Sequence, residues 1–134
     1  EGLKILPVLM GGQSRQEIEA LAAALCQALP ERGVLLVASS DLSHYNPAPI
    51  AQSMDAVVVD LVTRLDDEGL VRLVESTHEH ACGGGPIAAV LKTAKARGAN
   101  RGVALHYGDS GDVGARDKRR VVGYLSAALG AAEP

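Results

Sequence analysis

Apolar and polar positions along the chain alternate between short extended runs and longer stretches of helical period. Residues 3–9 (LKILPVL) read as a short apolar strand, in which Pro7 removes a ladder donor and marks an edge or an irregular end. Ser14-Arg15-Gln16-Glu17 is a capping box. Behind it Ile18, Leu21, Ala22, Leu25, Cys26 and Leu29 recur at helical spacing and predict an amphipathic helix that ends at Pro30. Residues 33–38 (GVLLVA) are continuously apolar, as expected of a strand covered on both faces in a parallel sheet, and the run stops at Ser39-Ser40-Asp41.

From Pro47 onward, Ile50, Met54, Val57, Leu61 and Leu65 form one helical stripe, widened by Val58 and Val62 into a mostly buried helix. Asp66 caps a second, shorter helix carrying Leu70, Leu73 and Val74. Pro86 sits where first helical turns accept proline, Ile87, Val90, Leu91 and Ala94 define the apolar face behind it, and Gly98 closes that helix. Residues 102–107 and 121–128 are strand candidates separated by the polar loop 108–120, and no internal repeat interrupts the pattern. Strands alternating with helices imply an α/β layer architecture, whose ligands bind at the carboxyl ends of strands. That rule selects the loops 39–46, 81–86 and 108–117.

Composition narrows the classes. A chain of 134 residues predicts a single α/β domain, large enough to bury roughly two-thirds of its unfolded surface. With 47% hydrophobic and 22% charged residues it is neither disordered nor collagen-like, and two cysteines make no disulfide scaffold, so both read as thiols. Thirteen basic against sixteen acidic residues give a net charge of −3 without a basic block, which disfavours nucleic acid; Lys118-Arg119-Arg120 reads as a solvated loop. With no Phe or Trp and three Tyr there is little surface for stacking bases or sugars. No apolar stretch approaches the roughly 18 to 20 residues of a membrane span, and no signal-peptide pattern stands at the start, so the expected location is the cytoplasm, away from membranes. A strand-like run two residues after Glu1, with no Met before it, reads as a cut inside a larger protein.

Asp41 and His44 stand three residues apart just after the apolar run, and a carboxylate beside an imidazole can make a general acid or base of it near neutral pH. The plainer alternative is that Asp41 caps a turn and His44 is polar loop. Cys82 precedes three glycines and a proline-started helix, where free N–H groups and the helix dipole favour anionic sulfur, both a nucleophile and a soft metal ligand. Against this stands tight packing, with Cys82 as a small hydrophobe, a reading that suits Cys26 better. Gly83 to Gly85 as a phosphate cradle is weak, since no Gly-Lys-Ser/Thr follows. His78, His80 and Cys82 could chelate a metal if extended, His106 reads as a strand-end residue, and Asp109-Ser110-Gly111-Asp112 reads as a turn whose carboxylates could approach the same cleft.

Three of these segments in order, Val37-Ala38-Ser39-Ser40-Asp41-Leu42-Ser43-His44-Tyr45, Ala81-Cys82-Gly83-Gly84-Gly85-Pro86-Ile87, and Ser110-Gly111-Asp112-Val113 followed by Val121-Val122-Gly123-Tyr124, resemble blocks of the Memo family, whose bacterial members are called AmmeMemoRadiSam system protein B. The likeness covers essentially the whole chain and falls on the C-terminal half of a family about twice as long. It implies the fold of class III extradiol ring-cleaving dioxygenases: three α/β/α layers around a mostly parallel mixed sheet, with a metal-site cleft. By resemblance, His44 takes the place of the dioxygenases' acid/base histidine, Asp41 is its carboxylate neighbour, and Cys82 holds the metal-ligand position. Two ligand histidines belong to the N-terminal half, so this chain would contribute part of a non-haem iron or copper site and be inactive alone. The resemblance also implies a small-molecule substrate, with redox or dioxygenase-like chemistry in the intact protein. The rival reading is a binding or scaffold module that keeps the cleft without catalysis.

Overall fold

The computed structural model describes residues 2–113 and 117–132. Glu1 and residues 114–116 of the expected polar loop lie outside the described residues. Helix α1 (Arg15–Ala28) begins at the predicted capping box, with the Ser14 and Glu17 side chains each meeting the other residue's backbone N–H. Strand β1 (His44–Asn46) and helix α2 (Ala48–Thr63) follow, then α3 (Asp67–Ser76), capped by the Asp66 carboxylate on the Gly69 N–H at 2.8 Å. Helix α4 (Gly84–Ala96) ends before Gly98, whose φ of +96° is the left-handed conformation expected of a glycine that terminates a helix. Strands β2 (Arg101–Asp109) and β3 (Val121–Gly130) close the chain, joined through a short 3-10 turn (Ser110–Asp112).

The four helices pack around one apolar cluster that includes Ile18, Val58, Leu70, Val71, Ala88 and Leu91, all essentially inaccessible. Val58, Leu61, Val62 and Leu65 of the predicted helix are buried, but its first half is rotated. Ala51, Asp55, Val58 and Val62 point inward, while Ile50 and Val57 face solvent. A carboxylate thus stands on the buried face, and the structure turns the helix to accommodate it because its partners lie on the sheet side.

The chain is mixed α/β, but its sheet has three antiparallel strands in the order β1-β3-β2 rather than a mostly parallel arrangement. The two apolar runs expected as strands explain the difference. Residues 3–9 and 33–38 are extended, but no backbone–backbone hydrogen bond joins either to another described residue, so neither enters a ladder. Their side chains are correspondingly uncovered: Leu9 is 96% exposed and Leu35 85%. A strand of a doubly covered sheet is defined by neighbours at its edges and over its faces, and these runs have neither. Between residues 34–38 and β3 lies an apolar groove of about 590 Å³, lined also by Ile87, Val90 and Ala94 of α4.

One ion cluster staples α3 to its neighbours. Asp67, nearly buried in the first turn of α3, accepts from Lys92 at 3.0 Å and from Lys95, and Glu68 receives both Lys92 and Arg15. Burial by itself would push the Asp67 carboxyl up, but the two lysines outweigh it and hold it below the usual carboxylate range. A folded-state depression stabilises the fold above the unfolded value near 3.8, and that contribution is lost as pH falls through the lower folded value. Chemical denaturation from pH 7 to pH 2 should therefore show wild type losing stability below about pH 4. Asp67→Asn should start roughly 1–3 kcal/mol less stable at neutral pH and lose less over that acid window. Parallel curves would show that the cluster contributes nothing.

Candidate functional site

The site begins where the extended run ends. Leu42 and Ser43 continue the β1–β3 pairing: the Leu42 N–H donates to the Gly123 carbonyl at 2.9 Å and the Gly123 N–H to the Ser43 carbonyl at 3.0 Å. His44 pairs with Val122, and Tyr45 then adopts a φ of +60°, a left-handed conformation that is costly for a non-glycine residue and turns the chain sharply into α2. This holds the His44 ring with Nε2 3.6 Å from the Asp41 Oδ2. At that distance the contact is electrostatic rather than a hydrogen bond, and both side chains remain open to solvent. The Tyr45 ring lies 5.7 Å from the His44 ring, and the Arg120 guanidinium lies over the Tyr45 ring, 5.3 Å from its centroid, in a cation–π arrangement.

Cys82 reaches the same corner from a distant loop. Its N–H donates to the Asp41 carbonyl at 3.2 Å, and its Sγ lies 3.7 Å from that oxygen and 3.7 Å from the Ser40 Oγ. Ser40 fastens the two loops, donating to the Asp41 carbonyl at 2.6 Å and accepting from the Gly83 N–H at 2.8 Å. Gln13 braces the second loop: its Nε2 donates to the Cys82 carbonyl at 2.8 Å, and its Oε1 accepts from the Gly85 N–H at 2.6 Å. The glycines are there for space. A Cβ on Gly83 would come 2.8 Å from Ser40 Cβ, and one on Gly84 2.6 Å from Val74 Cγ2. With the Gly83 and Gly85 N–H groups already taken by side chains, neither a phosphate nor the sulfur has them free, so the dipole argument for Cys82 loses two of its donors and the cradle reading loses its chemistry. Cys82 is nevertheless exposed, whereas Cys26 on α1 is partly covered.

The remaining candidates divide. Asp109 and Asp112 cap the 3-10 turn and share Lys118, at 2.8 and 2.5 Å, so their carboxylates are engaged locally; hydrogen bonding to Lys118 holds Asp112 below the usual range. Arg119 pairs with Asp117 at 2.9 Å, which accounts for another part of the basic run. His106 is exposed near the end of β2. Among the described residues no group of three His, Cys, Asp or Glu side chains comes together as a metal site, and this covers the His78, His80 and Cys82 alternation as well as Asp41, His44 and Cys82. A thiol and an imidazole on either side of one carboxylate residue are too few donors for iron or copper, so the residues of this chain do not by themselves fit the metal.

Sequence reasoning missed Ser40 and Gln13, whose roles depend on a fold that brings positions about 40 and 70 residues away to them, and it missed Asp55. Asp55 is 0% exposed, accepts from the Ser43 N–H at 2.9 Å and from the Tyr107 hydroxyl at 2.7 Å, and lies directly beneath Gly123. Burial, with the Asp55 carboxylate accepting its proton, pushes the Tyr107 hydroxyl far above its ordinary range. A carboxylate on an otherwise apolar helical stripe was the available signal.

The fold and this corner define an α/β chain in which an Asp–His pair and an exposed thiol meet at a junction of loops. Comparison of the whole sequence with known proteins points to one family. A family model described as Memo-like protein matches residues 1–128. A MEMO1 family protein of Methanopyrus kandleri is 36% identical over 128 residues, 94% of this chain and 45% of its own length. Those of Methanosarcina acetivorans and Sulfolobus acidocaldarius are 39% and 36% identical, covering 92% and 97% of this chain and 46% of each relative. The chain belongs to the Memo family, and it spans about half the length of the curated relatives it matches.

The exposure difference predicts thiol selectivity. Alkylation near neutral pH followed by peptide mapping should label Cys82 before Cys26 in the folded protein, with Ser40→Ala altering the Cys82 rate alone. Faster labelling of Cys26 would mean that α1 is not seated as described.

Proposed function

We propose that this chain supplies part of a non-haem metal site, iron or copper, and that whole-length Memo proteins carry redox or dioxygenase-like chemistry there on a small-molecule substrate. Cys82 would be one ligand, and the others would come from the length of the family chain that this one does not span. The observation that carries this reading is the position of Asp41: its carboxylate faces the His44 ring at 3.6 Å while its carbonyl meets the Cys82 sulfur at 3.7 Å, so a soft ligand and an acid–base pair share one residue. When bound, the metal would supply Lewis acidity or an electron; His44 would hold or release a proton at its ring nitrogen, and Asp41 would orient that ring.

The same reading makes residues 3–9 and 33–38 strands of a mostly parallel, three-layered sheet whose missing members belong to the rest of the family length. Support comes from their apolar faces, uncovered here, and from the groove beside β3. Location in the cytoplasm belongs to it too, supported by two free thiols; no helix among the described residues is long and apolar enough to cross a membrane. The rival, a binding module without catalysis, is favoured by those same exposed apolar runs, since contiguous patches of this kind mark interaction surfaces.

Anaerobic calorimetry separates the two. Titrated with Fe(II) or Cu, this chain should bind weakly, and Cys82→Ala should abolish that binding. A tight, stoichiometric site surviving both His44→Ala and Cys82→Ala would overturn the assignment of these residues, and no binding at all by wild type would favour the rival.

A further inference from the structure

Asp55 is the most completely buried carboxylate described, and the acid–base corner does not use it directly. Its two oxygens are divided between separate elements: Oδ1 accepts from the Ser43 N–H at 2.9 Å and Oδ2 from the Tyr107 hydroxyl at 2.7 Å. The first bond answers a specific demand. Along residues 42–43, the Leu42 N–H and the Ser43 carbonyl are paired with Gly123, which leaves the Ser43 N–H facing away from β3 into the protein, where an unpaired donor is strongly unfavourable. The second bond anchors the same carboxylate to β2. Above it, β3 passes so closely that a Cβ on Gly123 would fall 1.8 Å from Oδ2, so no other residue type fits between the carboxylate and the strand. Ser43, thus gripped from α2, is the residue immediately before His44 and two after Asp41.

We propose that Asp55 is a positioning residue for the His44–Asp41 pair: by taking the Ser43 N–H while held by Tyr107, it sets the backbone that aims the His44 ring at the Asp41 carboxylate. The inference rests on the acid–base role given to His44 above, but not on any metal. Asparagine can still accept from the Ser43 N–H through its amide oxygen and donate to the Tyr107 oxygen, so Asp55→Asn should keep the aim, whereas Asp55→Ala removes both bonds.

The test reads the ring nitrogens of His44 by long-range ¹H–¹⁵N correlation in the metal-free chain at a pH where the imidazole is neutral, with the exposed His78 ring as internal control. In wild type the Asp41 carboxylate should bias the proton towards Nε2 beyond the preference that the His78 ring shows. Asp55→Ala should move the His44 signals towards the averaged pattern of a free imidazole, Asp55→Asn should restore them, and His78 should not move. Unchanged His44 signals in a folded Asp55→Ala protein would overturn the proposal. If that variant does not fold, Tyr107→Phe decides, since it removes one anchor only: a partial shift at His44 supports the role and no shift refutes it. An Nε2 bias in wild type no greater than that of His78 would instead remove the His44–Asp41 pairing itself, a failure of the functional reading that the metal titration would meet independently.

Discussion

The contact on which the site depends is the crossing of Gly123 over Asp55. Strand β3 pairs with residues 42–46 on one edge and with β2 on the other where its first residues lie close against α2, and the carboxylate beneath leaves no room there for a side chain. From that crossing the rest follows in sequence. Leu42 and Ser43 are tied to the strand, Tyr45 takes the strained turn, His44 is left beside Asp41, and the carbonyl of Asp41 is presented to the loop that carries Cys82. The buried hydrogen bonds do more here than the surface ion pair. An exposed pair such as Asp41–His44 contributes about 0.2–1 kcal/mol at most, so it cannot by itself hold the geometry that its chemistry requires.

The loop junction is well fastened, while the apolar runs beside it are uncovered. Among the described residues Ser40 joins the two loops, Gln13 braces the one that carries Cys82, and Asp55 holds Ser43. Residues 3–9 and 33–38 contrast with this: both are apolar on successive positions, both are extended, and neither has a ladder partner or a covering layer among the described residues. The chain spans under half of the length of these relatives.

What could be read from the sequence was what local chemistry determines. The Ser14 capping box, the Asp66 cap, the Pro86 start and the Gly98 stop placed the helices because each is decided within four residues. The rule that α/β proteins bind ligands at the carboxyl ends of strands selects the loops 39–46 and 81–86, and the structure brings them together. Strand pairing was not legible, because an apolar run such as residues 33–38 states that a strand would be buried but not what would bury it. The inward face of α2 was misjudged for a related reason: counting Ile50 and Val57 as core assumes that hydrophobicity alone orients a helix, whereas the hydrogen bonds of Asp55 turn it towards the sheet. Ser40 and Gln13 act across distances in sequence that no periodicity reports.

Residue-resolved amide hydrogen exchange on this chain is the most direct test of a well-fastened loop junction beside unpaired extended runs. The amides of Leu42, Ser43 and Gly123 should exchange as slowly as those at the centre of the β2–β3 ladder, while those of residues 3–9 and 34–38 should exchange close to open-chain rates. Fast exchange at Leu42 and Ser43, or protection of residues 34–38 equal to that of β3, would contradict the account.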